Sequence, residues 1–146
     1  MVSPRILPNS LIFLSGVVAF EAHKISDHSP HLNDRLVFTQ EILDVGGGYD
    51  SSTGYYKAPV NGMYRITIQI CGNYDKWFVA FIMANDKQVG YASSLGGSVE
   101  VTCATGSALA YLKRGQKVWV RCQLVSANGI YDGLDMWNSF SGVLIG

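Results

Sequence analysis

Along 63–71, Tyr64, Ile66, Ile68 and Ile70 alternate with Arg65, Thr67 and Gln69, the period of two that puts apolar side chains on one face of a half-buried strand. Residues 117–124 repeat it, with Val118, Val120, Cys122 and Leu124 on one face and Trp119, Arg121 and Gln123 on the other. Further strands are predicted at 17–22, 36–39, 55–57, 77–83, 88–92, 98–103, 107–112 and 139–145. Turn chemistry falls between them at Asn61-Gly62, Asn85-Asp86, Gly96-Gly97, Asn128-Gly129 and Asp132-Gly133, because Gly, Asn and Asp tolerate the left-handed backbone that tight turns need. Many short strands divided in this way predict an all-β sandwich. Residues 31–45 are free of Gly and Pro, and Leu32, Leu36 and Leu43 admit a helical spacing, so one helical turn is the alternative there.

The two ends of this pattern break the alternation. Val17-Val18-Ala19-Phe20 and Val143-Leu144-Ile145 are apolar at successive positions, whereas an ordinary sandwich covers only one face of each sheet. A symmetric neighbour is the economical cover for the second face.

Composition narrows the function. The 146 residues suit one domain, and 48% apolar against 15% charged residues predicts a folded chain. Eleven basic side chains balance eleven acidic ones, so no net field attracts phosphate backbones or anionic lipid, and neither nucleic acid nor a membrane is an expected partner. Apolar runs such as 77–84 are far below the roughly 20 residues of a membrane helix, so no membrane insertion is expected. Residues 1–16, with Arg5 and the apolar Leu11-Ile12-Phe13-Leu14 interrupted by Pro8-Asn9-Ser10 just before it, are read as an N-terminal arm or a degenerate signal-like segment. Cys71, Cys103 and Cys122 form no C-x-x-C pair and no zinc spacing; at most one disulfide is expected among them, and they do not decide the compartment.

The order Phe38, Asp44, Tyr49, Tyr56, Gly62, Tyr64, Ile66 and Ile68 resembles the complement C1q globular-head domain. The segment GGGYDSSTGYYKAPVNGMYRI carries the resemblance locally, with echoes in VAFEA, KWFVA, LKRGQKVWV and the closing SFSGVLIG. It covers 17–146, departing only where Tyr56, Ile66 and Ile68 stand at positions that favour Phe. The resemblance implies a ten-stranded jelly roll of the C1q and tumour-necrosis-factor type and a secreted, extracellular homotrimer. With no collagen-like stalk in the chain, it is similar to the short, head-only members abundant in molluscs, which implies a lectin-like pattern-recognition protein of innate immunity binding glycans or other microbial surface ligands. The alternative is a cytokine-like or adhesion ligand that engages a protein receptor through the sides of the trimer. In that fold the first and last strands share the sheet facing the threefold axis, so Phe20, Tyr56, Phe140 and Leu144 are expected to divide between core and subunit interface.

Several constellations carry the residue types of a site. His23, Asp27, His28 and His31 lie within nine residues and carry ligand types for zinc or copper, although solvated loop histidines are the plainer reading. Laying the family's axial calcium segment on 88–107 puts Ser94 and Thr102 in place of aspartates, and neutral hydroxyls are weak ligands for a hard cation; calcium is not expected there, Asp132 and Asp135 offer a different metal site, and no cofactor is required. There is no Gly-x-Ser-x-Gly elbow, His-Glu-x-x-His or phosphate loop, so a non-enzyme is expected, and Gly46-Gly47-Gly48 reads as a tight turn. Trp77 and Trp119 fall inside strand patterns and read as structural. Ligand contacts are expected instead from two turn-rich loops that carry Tyr74 and Asp75, and Asn128, Tyr131, Asp132, Asp135 and Trp137, since loops on a rigid scaffold are common carriers of recognition.

Overall fold

A computed structural model describes residues 16–95 and 100–146. The expected arm at 1–16 therefore lies outside the described residues except for Gly16, as do the turn at Gly96-Gly97 and the start of the strand expected at 98–103. The described residues form ten strands and no helix: β1 (Ala19–Ile25), β2 (Arg35–Leu36), β3 (Phe38–Val45), β4 (Tyr56–Lys57), β5 (Gly62–Gly72), β6 (Trp77–Ala84), β7 (Lys87–Leu95), β8 (Thr102–Leu112), β9 (Lys117–Val125) and β10 (Ser139–Leu144). One antiparallel sheet has the order β3-β1-β10-β5-β8; the other runs β2-β9-β6-β7, with β4 also paired to β9. The first and last strands are thus neighbours, and Ala19 faces Val143 in register.

Alternation builds the core between the sheets. Tyr64, Ile66, Ile68 and Ile70 of β5 are fully buried against Phe78, Ala80 and Ile82 of β6 and Val118, Val120 and Cys122 of β9, and this apolar burial is the main stabilising term. An aromatic cluster fills one region: Phe20 stacks on Tyr56 at 4.0 Å and meets Phe140 edge-on at 4.8 Å. Two buried phenols end on backbone carbonyls, Tyr49 donating to Phe38 at 2.6 Å and Tyr64 to Val60 at 2.7 Å, as buried polar groups must. Burial pushes the pKa of Tyr49, Tyr56 and Tyr64 upward, and that of the Cys122 thiol up to about 11, with Asp34 and Asp27 adding to the last.

Two expectations change and a third is made specific. Residues 31–45 hold no helical turn: Leu36 is buried while Leu32 and Leu43 are exposed, so the leucines share no face and β2 and β3 form instead. The expected break between the strands at 98–103 and 107–112 is absent, since Thr102–Leu112 runs on as β8: Gly106 is a point of close approach and not a break, and a Cβ there would collide with the Tyr91 carbonyl of β7. Cys71 and Cys103 are register partners on β5 and β8 and form a disulfide, leaving Cys122 as a buried free thiol. The Gly46–Gly48 run is a turn, with Gly46 and Gly47 at positive φ and the buried Asp44 carboxylate accepting the amides of Gly48 and Tyr49.

Candidate functional site

The loop end of the sandwich gathers part of the expected ligand set. Asn128, left-handed at φ 54°, joins three loops: its amide donates to Ser29 Oγ at 3.2 Å, and its carbonyl accepts Asn73 Nδ2 at 3.3 Å. The Asn73 amide donates to Gly129, and an isolated bridge pairs Gly72 with Ile130. On this tied base Tyr74 and Asp75 stand exposed, Asp75 at φ 53°. Asp135 is exposed beside Leu134, which is 93% exposed.

The rest of that set does something else. Asp132 is an anchor: its carboxylate, 4% exposed, accepts the amides of Ile25 at 2.9 Å and Asn138 at 2.7 Å and the Asn138 side chain at 2.7 Å. Tyr131 is held by its backbone, donating to Cys71 and accepting from Asn138 Nδ2. Trp137 turns to the β1 side and packs on His23 with ring centroids 5.3 Å apart.

The expected metal ligands are dispersed. His23 Nε2 lies 2.8 Å from Glu21, His28 Nε2 3.5 Å from Asp132, and His31 Nδ1 3.7 Å from Asp34, while Asp27 accepts the Ser29 amide. Each ring goes to its own carboxylate, and among the described residues no three His, Cys, Asp or Glu side chains converge. Asp132 is likewise spent on backbone and not shared with Asp135 as a second metal site. Ser94 is buried and donates to the Thr102 carbonyl at 2.7 Å, with the two hydroxyls 3.1 Å apart.

The four residues expected to divide between core and interface fall mostly on one side. Phe20, Tyr56 and Phe140 are buried in the core, and Leu144 packs partly against it. The outward face of the β3-β1-β10-β5-β8 sheet is carried by other side chains: Leu43, Met63, Leu109, Tyr111 and Val143 are all exposed there, with Val17 and Ile145 at its end.

The second sheet carries a cluster of aromatic and basic side chains that no sequence motif singles out. Tyr55 and Trp119 meet edge to face at 5.4 Å. The Arg35 guanidinium lies 4.0 Å and the Lys117 ammonium 4.5 Å from the centre of the Tyr55 ring, both within cation–π range. Arg35 is fixed by donating from Nε to the Thr53 carbonyl and from Nη1 to the Tyr55 hydroxyl, each at 2.6 Å. Two shallow concavities share Tyr55 and Lys117: one of about 410 Å³ reaches Asp50 and Lys57, and one of about 450 Å³ reaches Asn85, Asp86 and Trp119. The Ser52 hydroxyl and amide hold the Asp50 carboxyl below its ordinary range. Trp119, read as structural, is half-buried and lines this surface, and Trp77 is exposed. The signal was present in the alternation, which already put Trp119 and Arg121 on the face opposite the core.

Comparison with known proteins agrees with this architecture. The chain is 32% identical over 115 residues to mouse complement C1q tumor necrosis factor-related protein 6, covering 75% of this chain and 42% of that protein. It is 26% identical over 130 residues to the human C1q tumor necrosis factor-related protein 3, covering 88% and 51%; the chain therefore spans about half the length of these curated relatives. Among solved structures, the globular domain of zebrafish complement 1qA superposes with a TM-score of 0.71 at 16% identity, covering 88% of this chain and 98% of that one. The Eiger TNF of S. frugiperda superposes at 0.64 with 12% identity, covering 89% and 93%. At such identities these superpositions speak to the fold alone, a jelly roll of the C1q and tumour-necrosis-factor type. The C1q domain family model matches residues 19–145, and the chain belongs to the C1q domain family.

Proposed function

We propose that this chain is a secreted, non-enzymatic recognition module that assembles as a homotrimer and binds glycans or other microbial surface ligands. The observation that carries the reading is the tied loop end, where hydrogen bonds through Asn128 join three loops and leave Tyr74 and Asp75 open to a partner. An aromatic ring and a carboxylate on a preordered base suit a saccharide, offering a stacking face and a hydroxyl acceptor with little ordering cost. Assembly through the apolar outward face of the β3-β1-β10-β5-β8 sheet multiplies weak sites by avidity. The Cys71–Cys103 disulfide supports an oxidising, extracellular setting. No resident metal or cofactor is part of this reading.

A cytokine-like or adhesion ligand for a protein receptor is favoured by one observation, the exposed register pair Trp77 and Leu95 with Tyr91 nearby on β7, an apolar strip suited to a protein partner. A glycan array on the assembled protein separates the two. Saccharide binding that is lost in Tyr74→Ala supports recognition, whereas a blank array with a cell-surface protein recovered through the Trp77 strip supports the receptor reading.

A further inference from the structure

The Cys71–Cys103 bridge joins two residues of opposite exposure. Cys71 on β5 is fully buried, whereas Cys103 stands exposed on β8, an edge strand of its sheet. The buried half is held by the chain that enters β10. Its amide donates to Asn138 Oδ1 at 2.7 Å, its carbonyl accepts the Tyr131 amide at 3.0 Å, and its Sγ lies 3.6 Å from the Trp137 carbonyl oxygen. A sulfur inside a disulfide carries no hydrogen for that oxygen, whereas a thiol there is a donor. Cys71 in its opened form therefore finds an acceptor already in place. Six residues along β8 separate Cys103 from Leu109, roughly 20 Å at the rise of a strand, so the apolar patch of Met63, Leu109 and Tyr111 does not extend to it.

We infer that Cys71–Cys103 is a redox modification site, opened in the folded protein by an extracellular dithiol that attacks the Cys103 sulfur. Exposed disulfides are the labile ones, and exchange begins at the sulfur a thiolate can reach. One thiolate of the reductant bonds to Cys103 Sγ as the Cys71–Cys103 bond breaks, and Cys71 Sγ leaves with the electron pair and takes up a proton. The second thiolate of the reductant then attacks the first and displaces Cys103, which takes up a proton in turn. Both cysteines end reduced, and the dithiol ends as its own disulfide. Cys71 lies outside the apolar core cluster that Tyr64, Ile66, Ile68 and Ile70 build, so the core does not depend on the bridge. The start of β8 does: once the bond opens it is left to its ladder with β5 and to the Ser94 hydroxyl, which donates to the Thr102 carbonyl.

The test treats the whole chain, without denaturant, with two probes and maps the products by peptide mass spectrometry. One probe is a thioredoxin whose second active-site cysteine is serine, which halts exchange at the mixed disulfide. The other is dithiothreitol, followed by timed pulses of N-ethylmaleimide. Cys122 serves as an internal clock, since this buried free thiol is reached only when the chain opens. The trapped thioredoxin should sit on Cys103. After dithiothreitol, maleimide should reach Cys103 more than about a hundredfold faster than Cys122, with Cys71 lagging behind Cys103. Amide hydrogen exchange of the reduced protein should rise at 102–105 and stay unchanged at 64–70. In single variants, Cys103 of Cys71→Ser should label at least about tenfold faster than Cys71 of Cys103→Ser, because access governs thiol reactivity. A thioredoxin adduct on Cys71 would overturn the inference, as would equal labelling rates for Cys103 and Cys122. A bridge that resists the dithiol until denaturant also exposes Cys122 would overturn it as well, because the bond would then open only in the unfolded chain.

Discussion

Asp132 shows how a residue type offered for recognition can be consumed by the fold. Its carboxylate accepts three hydrogen bonds, from Ile25 and from both nitrogens of Asn138, so it ties the end of β1 to the chain entering β10. Removing it leaves buried donors unsatisfied, at about 1–3 kcal/mol for each such group. Asp132→Ala should therefore lower unfolding free energy by about 2–4 kcal/mol in a urea titration, and a change within experimental scatter would refute the anchor. Cys122 makes a pH-dependent prediction. Burial raises its folded-state pKa from an ordinary 9.0 to about 11, so its contribution is fully present below pH 9 and is lost as pH rises through about 11. Thermal unfolding followed across that window should show falling stability, and Cys122→Ala should flatten the fall. The buried tyrosines join the decline above their ordinary value of 10.0, inside the same window, since their hydroxyls too are held neutral by burial, so Cys122→Ala removes only its own part of the fall.

Among the elements, β5 and β8 form the long ladder that the Cys71–Cys103 disulfide closes at one end. The bridge spans 32 residues of sequence, and a loop of this order restricts the unfolded chain by about 3–4 kcal/mol. Cys71→Ser/Cys103→Ser should lower the urea midpoint accordingly without changing the far-ultraviolet circular dichroism of the folded state. The strands themselves were largely legible: along β5 from Tyr64 to Ile70 and β9 from Val118 to Cys122 one face is wet and one dry, and burial writes that difference into the sequence as alternation, whereas Leu124, expected on the dry face, is 50% exposed because the β6–β9 register shifts between Val79 and Ala80. Sheet-to-sheet contact writes nothing comparable. Gly106 looks like a breaker in one dimension because the strand it must admit, β7, lies far away in sequence. The disulfide was illegible for the same reason, since register between two strands fixes which cysteines meet. The proposed loop-end site and the cation cluster suffer from this too: Asn128 is joined to Ser29 across 99 residues, and the cations of the second sheet meet only because β2 and β4 both lie against β9.

The two outward faces differ, one setting exposed Leu43, Met63, Leu109, Tyr111 and Val143 among polar groups such as Glu21, Arg65 and Thr67, the other joining cations and aromatic rings beside the Trp77 and Leu95 strip. If the apolar face holds the trimer, Tyr111→Glu, which plants a charge among Met63, Leu109 and their copies, should yield protomers in sedimentation equilibrium at about micromolar concentration with the fold intact. The parent assembly should persist in high salt, because apolar contact is not screened; a parent that sediments as a protomer refutes the trimer. The order of strands has a further consequence, in time and not in space. β10, the last of the ten strands to be synthesised, is the middle of its sheet, between β1 and β5. Until it emerges, β1–β3 and β5–β8 can exist only as two separate ribbons, each with an unsatisfied edge, and bare edges invite pairing with other chains. The nascent domain must therefore be kept solitary until β10 has been made, and its sheet closes only when that keystone arrives.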